Sequence, residues 1–221
     1  ILLVLLYIIS NQIKAQIGFE NNSIFNDFDK ANYAQSIYAT DIDGDGDQDL
    51  LYANHAGNSI FWCENFIVDN TITPLPGYQF STGRLITDEA EGVECIYVVD
   101  LDNDGDMDVL SASSIDDKLA WYRNNGSGVF GEQNIITMDV EDPYSVFAAD
   151  INGDGNLDVL SAAGPDSKVA WYENDGNGGF GEQNVISTLF YDARSVYAVD
   201  LDGDGDTDVL SASGFDSKIA W

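Results

Sequence analysis

Short apolar runs, each ended by a turn or an acidic loop, recur along the whole chain. In one copy, residues 145–149 form an apolar, aromatic-containing run typical of a strand buried on both faces. Further runs cover residues 157–162, 168–173 and 180–187, with turn sequences at 164–167 and 174–179. No stretch shows sustained helical periodicity. The pattern therefore predicts an all-β fold in which each repeat supplies four short antiparallel strands.

The repeat is defined by an aspartate and a tryptophan at a fixed distance. The first aspartate of each copy stands at 41, 100, 150 and 200, and a tryptophan follows 21 residues later, at 62, 121, 171 and 221. Nine extra residues in the first repeat fall within 66–82, outside this constant unit. A single four-stranded sheet cannot bury both faces, so neighbouring sheets must stack, with the tryptophans as wedges between them.

The predicted architecture is a β-propeller of four-stranded antiparallel blades, present as about three complete blades and part of a fourth. The blade repeats are predicted at 33–90, 91–141, 142–191 and 192–221. Residues 16–32 precede the first repeat, and we expect them to supply an N-terminal strand that closes the ring.

The start of the chain is interpreted as a targeting segment. Residues 1–9 are almost entirely apolar but too few to span a bilayer, and they fit the core of a signal peptide covering residues 1–15. The alternatives are a buried strand or a short anchor. Export would permit a disulfide between Cys63 and Cys95, although two separate thiols fit the sequence equally well.

Charge adds a strong constraint on partners. The chain has 39 acidic and 8 basic residues, for a net charge of −31, and 18 of the acids lie in four loops at 41–49, 100–108, 150–158 and 200–208. So few cations exclude direct binding to nucleic acid or to an anionic membrane surface. A dense local negative charge instead favours binding of divalent cations or basic surfaces.

Each acidic loop places oxygen ligands as a hard cation requires. Side chains at loop positions 1, 3, 5 and 9, with a backbone carbonyl at position 7, suit the six to eight oxygens that Ca²⁺ prefers. Glycine at position 6 permits the sharp turn, and the apolar residue at position 2 anchors the loop to the core. The candidate metal residues are Asp41, Asp43, Asp45, Asp47 and Asp49; Asp100, Asp102, Asp104, Asp106 and Asp108; Asp150, Asn152, Asp154, Asn156 and Asp158; and Asp200, Asp202, Asp204, Asp206 and Asp208.

These loops differ from EF-hands, although their first six positions agree. Position 12 holds Tyr52, Ser111, Ser161 or Ser211 in place of the bidentate glutamate, and the flanking segments are predicted strands, not helices. Asn152 replaces a ligand carboxylate in the third loop. We therefore expect the third loop to bind Ca²⁺ more weakly than its neighbours.

The Asp-x-Asp-x-Asp-Gly-x-x-Asp loops and the pairs Phe130-Gly131 and Phe180-Gly181 resemble FG-GAP/VCBS repeats, the family of integrin-α-like propellers. The resemblance covers about residues 17–221. It implies a calcium-stabilised propeller, with about one ion in each loop between the first and second strands of a blade, and an extracellular location.

The leading functional hypothesis is a secreted or cell-surface, non-catalytic binding or adhesion module for an extracellular protein or carbohydrate. It has no nucleic-acid partner and does not insert into a membrane after signal removal. One alternative is the propeller portion of a secreted, for instance polysaccharide-active, enzyme whose catalytic domain lies beyond residue 221. Another is a structural surface-layer component. The single histidine, His55, lies in a predicted turn and offers little support for catalysis.

Overall fold

The computed structural model of the chain describes residues 33–67, 78–165 and 167–221. The first sheet has the strand order β1-β2-β3-β6, and a 3₁₀ turn at His55–Gly57 joins β2 to β3. A separate two-stranded sheet, β4-β5, lies between β3 and β6 in the chain. The strands are β1 (Ala34–Thr40), β2 (Asp49–Asn54), β3 (Ser59–Cys63), β4 (Asn65–Ile67), β5 (Tyr78–Phe80) and β6 (Arg84–Thr87).

Three further sheets follow in chain order. The second contains β7 (Val93–Val99), β8 (Asp108–Ser113), β9 (Lys118–Tyr122) and β10 (Asn134–Thr137). The third contains β11 (Pro143–Ala149), β12 (Asp158–Ala163), β13 (Val169–Asn174) and β14 (Phe180–Ser187). The fourth contains β15 (Ala193–Val199), β16 (Asp208–Ser213) and β17 (Ile219–Ala220).

Every strand pair is antiparallel, and the strands of each main sheet are ordered as in the chain. The prediction of an all-β fold built from blade-like antiparallel sheets is thus confirmed, with no closed ring among the described residues. The predicted strands of the third repeat match β11 to β14 to within two residues. Asp166, in the predicted turn 164–167, lies outside the described residues.

One prediction about burial is wrong. The first strand of the third repeat was expected to be buried on both faces, but in β11 only alternate residues such as Val146 and Ala148 are buried. The second strand, β12, is buried at all six positions. The physical reason is position: β11 is the edge of its sheet, while β12 is flanked by two strands and covered on both faces.

The edge strands of successive sheets lie side by side. Aromatic rings at equivalent positions contact one another, with centroid distances of 5.7 Å for Tyr38–Tyr97 and 4.7 Å for both Tyr97–Phe147 and Phe147–Tyr197. The backbone N–H of Ile96 also donates to Ser36 Oγ at 3.2 Å. These contacts between equivalent residues mean that successive sheets share one orientation, so their corresponding loops lie at the same end.

The nine extra residues of the first repeat fall between two residues that pair across strands. Asn124 pairs with Phe130 and Asn174 with Phe180 across a short turn. The equivalent residues of the first sheet, Asn65 and Phe80, make the same pair across β4 and β5. The insertion therefore lies outside the four-stranded sheet β1-β2-β3-β6.

The tryptophans pack between sheets as predicted. Trp62 is 1% exposed, and its ring covers Gly128 in a turn of the second sheet. A Cβ at Gly128 would lie 2.2 Å from Trp62 Cζ2, and one at Gly178 would lie 2.2 Å from Trp121 Cζ2. Glycine is thus required where each tryptophan meets the next sheet. Trp221, which no described sheet follows, is 64% exposed.

The predicted N-terminal segments, the two cysteines and membrane-spanning helices can each be compared with the structure. The predicted signal segment 1–15 and closing strand 16–32 lie outside the described residues. Cys63 and Cys95 do not form a disulfide with each other. Within the described ranges, no helix is long and apolar enough to cross a membrane.

Candidate metal centre

The four acidic loops join the first and second strands of each sheet, and they therefore share one end of the assembly. Neighbouring loops touch: Asn103 Nδ2 of the second loop lies 3.4 Å from Asn156 Oδ1 of the third. The strands impose this arrangement, because each loop begins directly after an edge strand. The result is a row of carboxylates along one rim.

The aspartate at position 1 organises each loop by accepting hydrogen bonds from its backbone. Asp41 accepts from the N–H groups of Gly44 at 2.8 Å and Gly46 at 2.9 Å. Asp100, Asp150 and Asp200 accept equivalent bonds from positions 4 to 6 of their own loops. The glycine at position 6 has φ between 91° and 98° in all four loops, a conformation that favours glycine.

The position 9 aspartate fixes the end of each loop. Asp108 is fully buried, and it accepts from the N–H groups of Leu101 at 3.3 Å and Asn124 at 2.8 Å. Asp49 and Asp158 are also buried and make the same two kinds of bond. Burial raises the pKa of Asp108 to about 7, despite the two N–H donors that favour its charged form. A cation beside this buried carboxylate would favour its ionised state.

Carboxylate oxygens converge in three of the loops. The sets Asp41, Asp43 and Asp45; Asp100, Asp102 and Asp108; and Asp200, Asp202 and Asp208 each offer oxygens lying within 4.8 Å of one another. Two buried oxygens in these sets, Asp43 Oδ1 and Asp102 Oδ1, have no hydrogen-bond partner. An orphaned buried carboxylate oxygen beside two others fits a hard cation that takes oxygen ligands.

Other predicted ligands take different roles in the structure. Position 5 carboxylates accept the N–H of position 7, as in the 2.8 Å bond from Asp47 to Asp45 and the 2.9 Å bond from Asp106 to Asp104. The corresponding pairs in the third and fourth loops are Asp154 with Asn156 and Asp204 with Asp206. The position 7 side chains do not join the convergent oxygen sets.

The third loop is the exception within the described residues, since its aspartates form no cluster of three convergent carboxylates. Asn152 stands at position 3, where the other loops have aspartate, and its amide nitrogen lies 3.2 Å from Asp154 Oδ2 and 3.4 Å from Glu173 Oε1. The amide oxygen of Asn152 accepts the N–H of Asp154 at 2.9 Å. At position 3 the third loop thus has an uncharged amide that bonds to neighbouring side chains and backbone, where the other loops have a carboxylate.

The apolar anchors at position 2 follow the predicted pattern only where another sheet covers them. Ile42 and Leu101 are buried, and Ile151 is partly buried against the cluster around Leu160. Leu201 is 47% exposed, so the prediction that it anchors its loop in the core is wrong for the described structure. The reason is that no described sheet packs beyond the fourth.

Sequence reasoning missed an asparagine that ties successive loops together. Asn124 Nδ2 donates to Met107 O in its own loop at 3.1 Å and to Ile42 O in the preceding loop at 2.8 Å. Asn174 repeats this arrangement with the carbonyls of Leu157 and Leu101. The signal was present: Asn65, Asn124 and Asn174 each follow the first aspartate of their repeat by 24 residues.

Comparisons with known proteins agree with this architecture. Residues 41–111, 100–161 and 150–211 match the model of the FG-GAP-like repeat. A lectin structure from Agrocybe aegerita, described as specifically recognising non-reducing terminal N-acetylglucosamine, aligns with a TM-score of 0.53 and 20% identity. That alignment covers 80% of this chain and 46% of the lectin chain, so this chain spans less than half of its length.

A second structure, a Tc holotoxin pore of Photorhabdus luminescens, aligns with a TM-score of 0.28 and 15% identity over 84% of this chain and 12% of the other. A score this low supports no conclusion about the fold. No match was found among curated proteins.

Proposed function

The chain belongs to the FG-GAP-like repeat family, and on that premise we propose that it is a calcium-binding β-propeller acting outside the cell as a non-catalytic binding or adhesion module. The observation that carries the proposal is the row of acidic loops along one rim, with the buried, unpartnered oxygens of Asp43 and Asp102. Unpaired buried carboxylates repel one another and are costly to desolvate, and a divalent cation relieves both costs.

Within a loop, some carboxylates offer oxygens to a cation and some are also held in place by backbone N–H groups. In the second loop, Asp100, Asp102 and Asp108 offer converging oxygens, and Asp100 and Asp108 are also oriented by backbone N–H groups. A bound Ca²⁺ would supply positive charge at this convergence point. Because Asp108 also connects the loop to Asn124, binding would stabilise the junction between adjacent sheets as well as the loop itself.

A binding role is favoured over catalysis by the position of the histidine. His55 lies in the 3₁₀ turn after β2, at the opposite end of its sheet from the acidic loop that precedes β2. Its Nε2 is 3.2 Å from Glu94 Oε1, and its ring makes an edge contact with Tyr33. These contacts join the first and second sheets and give His55 a structural role, at the opposite end of the sheet from the carboxylates of the acidic loop.

The proposed partner is an extracellular carbohydrate or protein. The aligned lectin binds a terminal sugar, according to its description, with a similar fold, which makes glycans the first class to test. Fold similarity by itself does not transfer a ligand from one propeller to another.

The test is a binding screen of the immobilised 221-residue chain against glycan and extracellular-matrix protein panels, with calcium and then with a chelator. The proposal predicts a ligand that is retained with calcium, released by chelation and recovered chemically unchanged. Recovery of a cleaved or modified ligand would contradict the non-catalytic role. Equal retention with and without calcium, in a chain that binds no calcium, would contradict the metal assignment.

A further inference from the structure

The residue that follows the first aspartate by 23 positions differs in charge between the loops. It is Glu64 in the first repeat, Arg123 in the second and Glu173 in the third. Each residue immediately precedes the asparagine that ties the loops together, so the fold brings its side chain beside the acidic loop of its own sheet. The second loop therefore has a built-in cation where the first and third have an additional carboxylate.

Arg123 contacts the oxygens that would hold the metal. Its Nε lies 2.8 Å from Asp102 Oδ2, and its Nη2 lies 2.9 Å from Asp104 Oδ2. The Asp102 side chain is 3% exposed, and its second oxygen, Oδ1, has no hydrogen-bond partner. The guanidinium thus pairs with Oδ2 of Asp102, while the buried Oδ1 has no partner.

The equivalent residues of the first and third repeats are glutamates, which carry the opposite charge. Glu173 Oε1 lies 3.4 Å from Asn152 Nδ2, which places a carboxylate beside the position where the third loop has lost one. Glu64 forms an ion pair with Arg84 on β6, and its carboxylate lies near Asp43. Neither glutamate can act as a counter-ion to its acidic loop.

We propose that Arg123 is a tethered counter-ion that competes with Ca²⁺ for the carboxylates of Asp102 and Asp104 in the second loop. This inference rests on the proposed calcium function. If Arg123 competes in this way, the second loop should bind Ca²⁺ at a higher calcium concentration than the first and third loops. The sequence alone, which shows only the loss of a carboxylate at Asn152, assigns the weakest binding to the third loop.

The experiment is a calcium titration of the ¹⁵N-labelled 221-residue chain, followed by NMR. The amide signals of Gly46, Gly105 and Gly155 report each loop separately, because each amide donates to the position 1 aspartate of its own loop. Arg123→Gln removes the guanidinium. Arg194→Gln is the matched control, because Arg194 pairs with Asp192 at 2.8 Å and lies at the start of β15, away from its acidic loop.

In the unmodified chain we expect the Gly105 signal to respond at the highest calcium concentration of the three. Arg123→Gln should lower the midpoint at Gly105 by about tenfold, as loss of two ion pairs made by a half-exposed arginine allows, while the midpoints at Gly46 and Gly155 change little. Arg194→Gln should leave all three midpoints unchanged.

Three results would overturn the inference. If the chain binds calcium but Arg123→Gln leaves the Gly105 midpoint unchanged, or the third loop fills last, the counter-ion role is wrong and the calcium function stands. If no glycine signal responds to calcium in any variant, the proposed calcium function fails, and the inference fails with it.

Discussion

Replacing Asn124 with alanine should weaken the junction between the first and second sheets. The buried Asn124 amide donates at 2.8 Å to the carbonyl of Ile42 in the preceding loop and at 3.1 Å to that of Met107 in its own loop. Alanine removes both donors, while the backbone N–H of residue 124 still bonds to Asp108. The substitution therefore isolates the side chain's contribution to the junction.

The size of the effect follows from the number of bonds lost. A buried carbonyl deprived of its donor costs about 1–3 kcal/mol, so the loss of two donors predicts about 2–6 kcal/mol of destabilisation. Asn65 occupies the equivalent position in the first sheet, and within the described ranges its amide donates to Gln48 O alone, at 3.0 Å. Asn65→Ala should therefore cost about 1–3 kcal/mol, and the difference between the two losses measures the bond between sheets.

The assay is urea unfolding monitored by tryptophan fluorescence, with calcium removed so that metal binding does not contribute. Asn134→Ala is the matched control, because the Asn134 amide contacts only the nearby Glu132 carbonyl on the exposed strand β10. It should change stability by less than about 0.5 kcal/mol. Equal losses for Asn124→Ala and Asn65→Ala would refute the claim that the asparagine joins neighbouring loops.

Two further predictions test the packing between sheets. Gly128→Ala should destabilise the chain by about 2–4 kcal/mol, because the residue has φ of 67° and a Cβ would collide with Trp62; Gly131→Ala, whose Cβ would meet nothing closer than 3.7 Å, is the control in the same unfolding assay. Trp121→Ala should cost about 3–5 kcal/mol, whereas Trp221→Ala, at a site 64% exposed, should cost less than about 1 kcal/mol. Similar losses within either pair would contradict the wedge model.

Much of the fold was predictable because its signals repeat in register. A fixed distance from Asp41 to Trp62, repeated from Asp100 to Trp121, defines a unit that short apolar runs divide into strands. The same comparison placed the extra residues of the first repeat within 66–82, outside the constant unit. Periodicity does not distinguish an edge strand from a central one, however, so the burial of β11 was overestimated.

The place of the acidic loops between the first and second strands of each sheet was equally predictable, but the contacts around these loops were not. Asn124 follows a strand and precedes a glycine-rich turn, which is ordinary for asparagine, and only the fold places its amide against Ile42 of another repeat. Arg123 lies 19 residues after Asp104 in the chain, and their ion pair depends on the register of β8 and β9. Long-range contacts of this kind follow from strand pairing.

The most direct test of the central claim is a calcium titration of the chelator-stripped chain by calorimetry, with the melting temperature measured at each calcium concentration. The account predicts saturable binding at about one ion per acidic loop and a rise in melting temperature. At a free calcium concentration about 100 times the Kd of a site, binding at that site adds about 2.7 kcal/mol to the free energy of unfolding. Absence of binding heat, with an unchanged melting temperature, would contradict the assignment of these loops as structural metal sites.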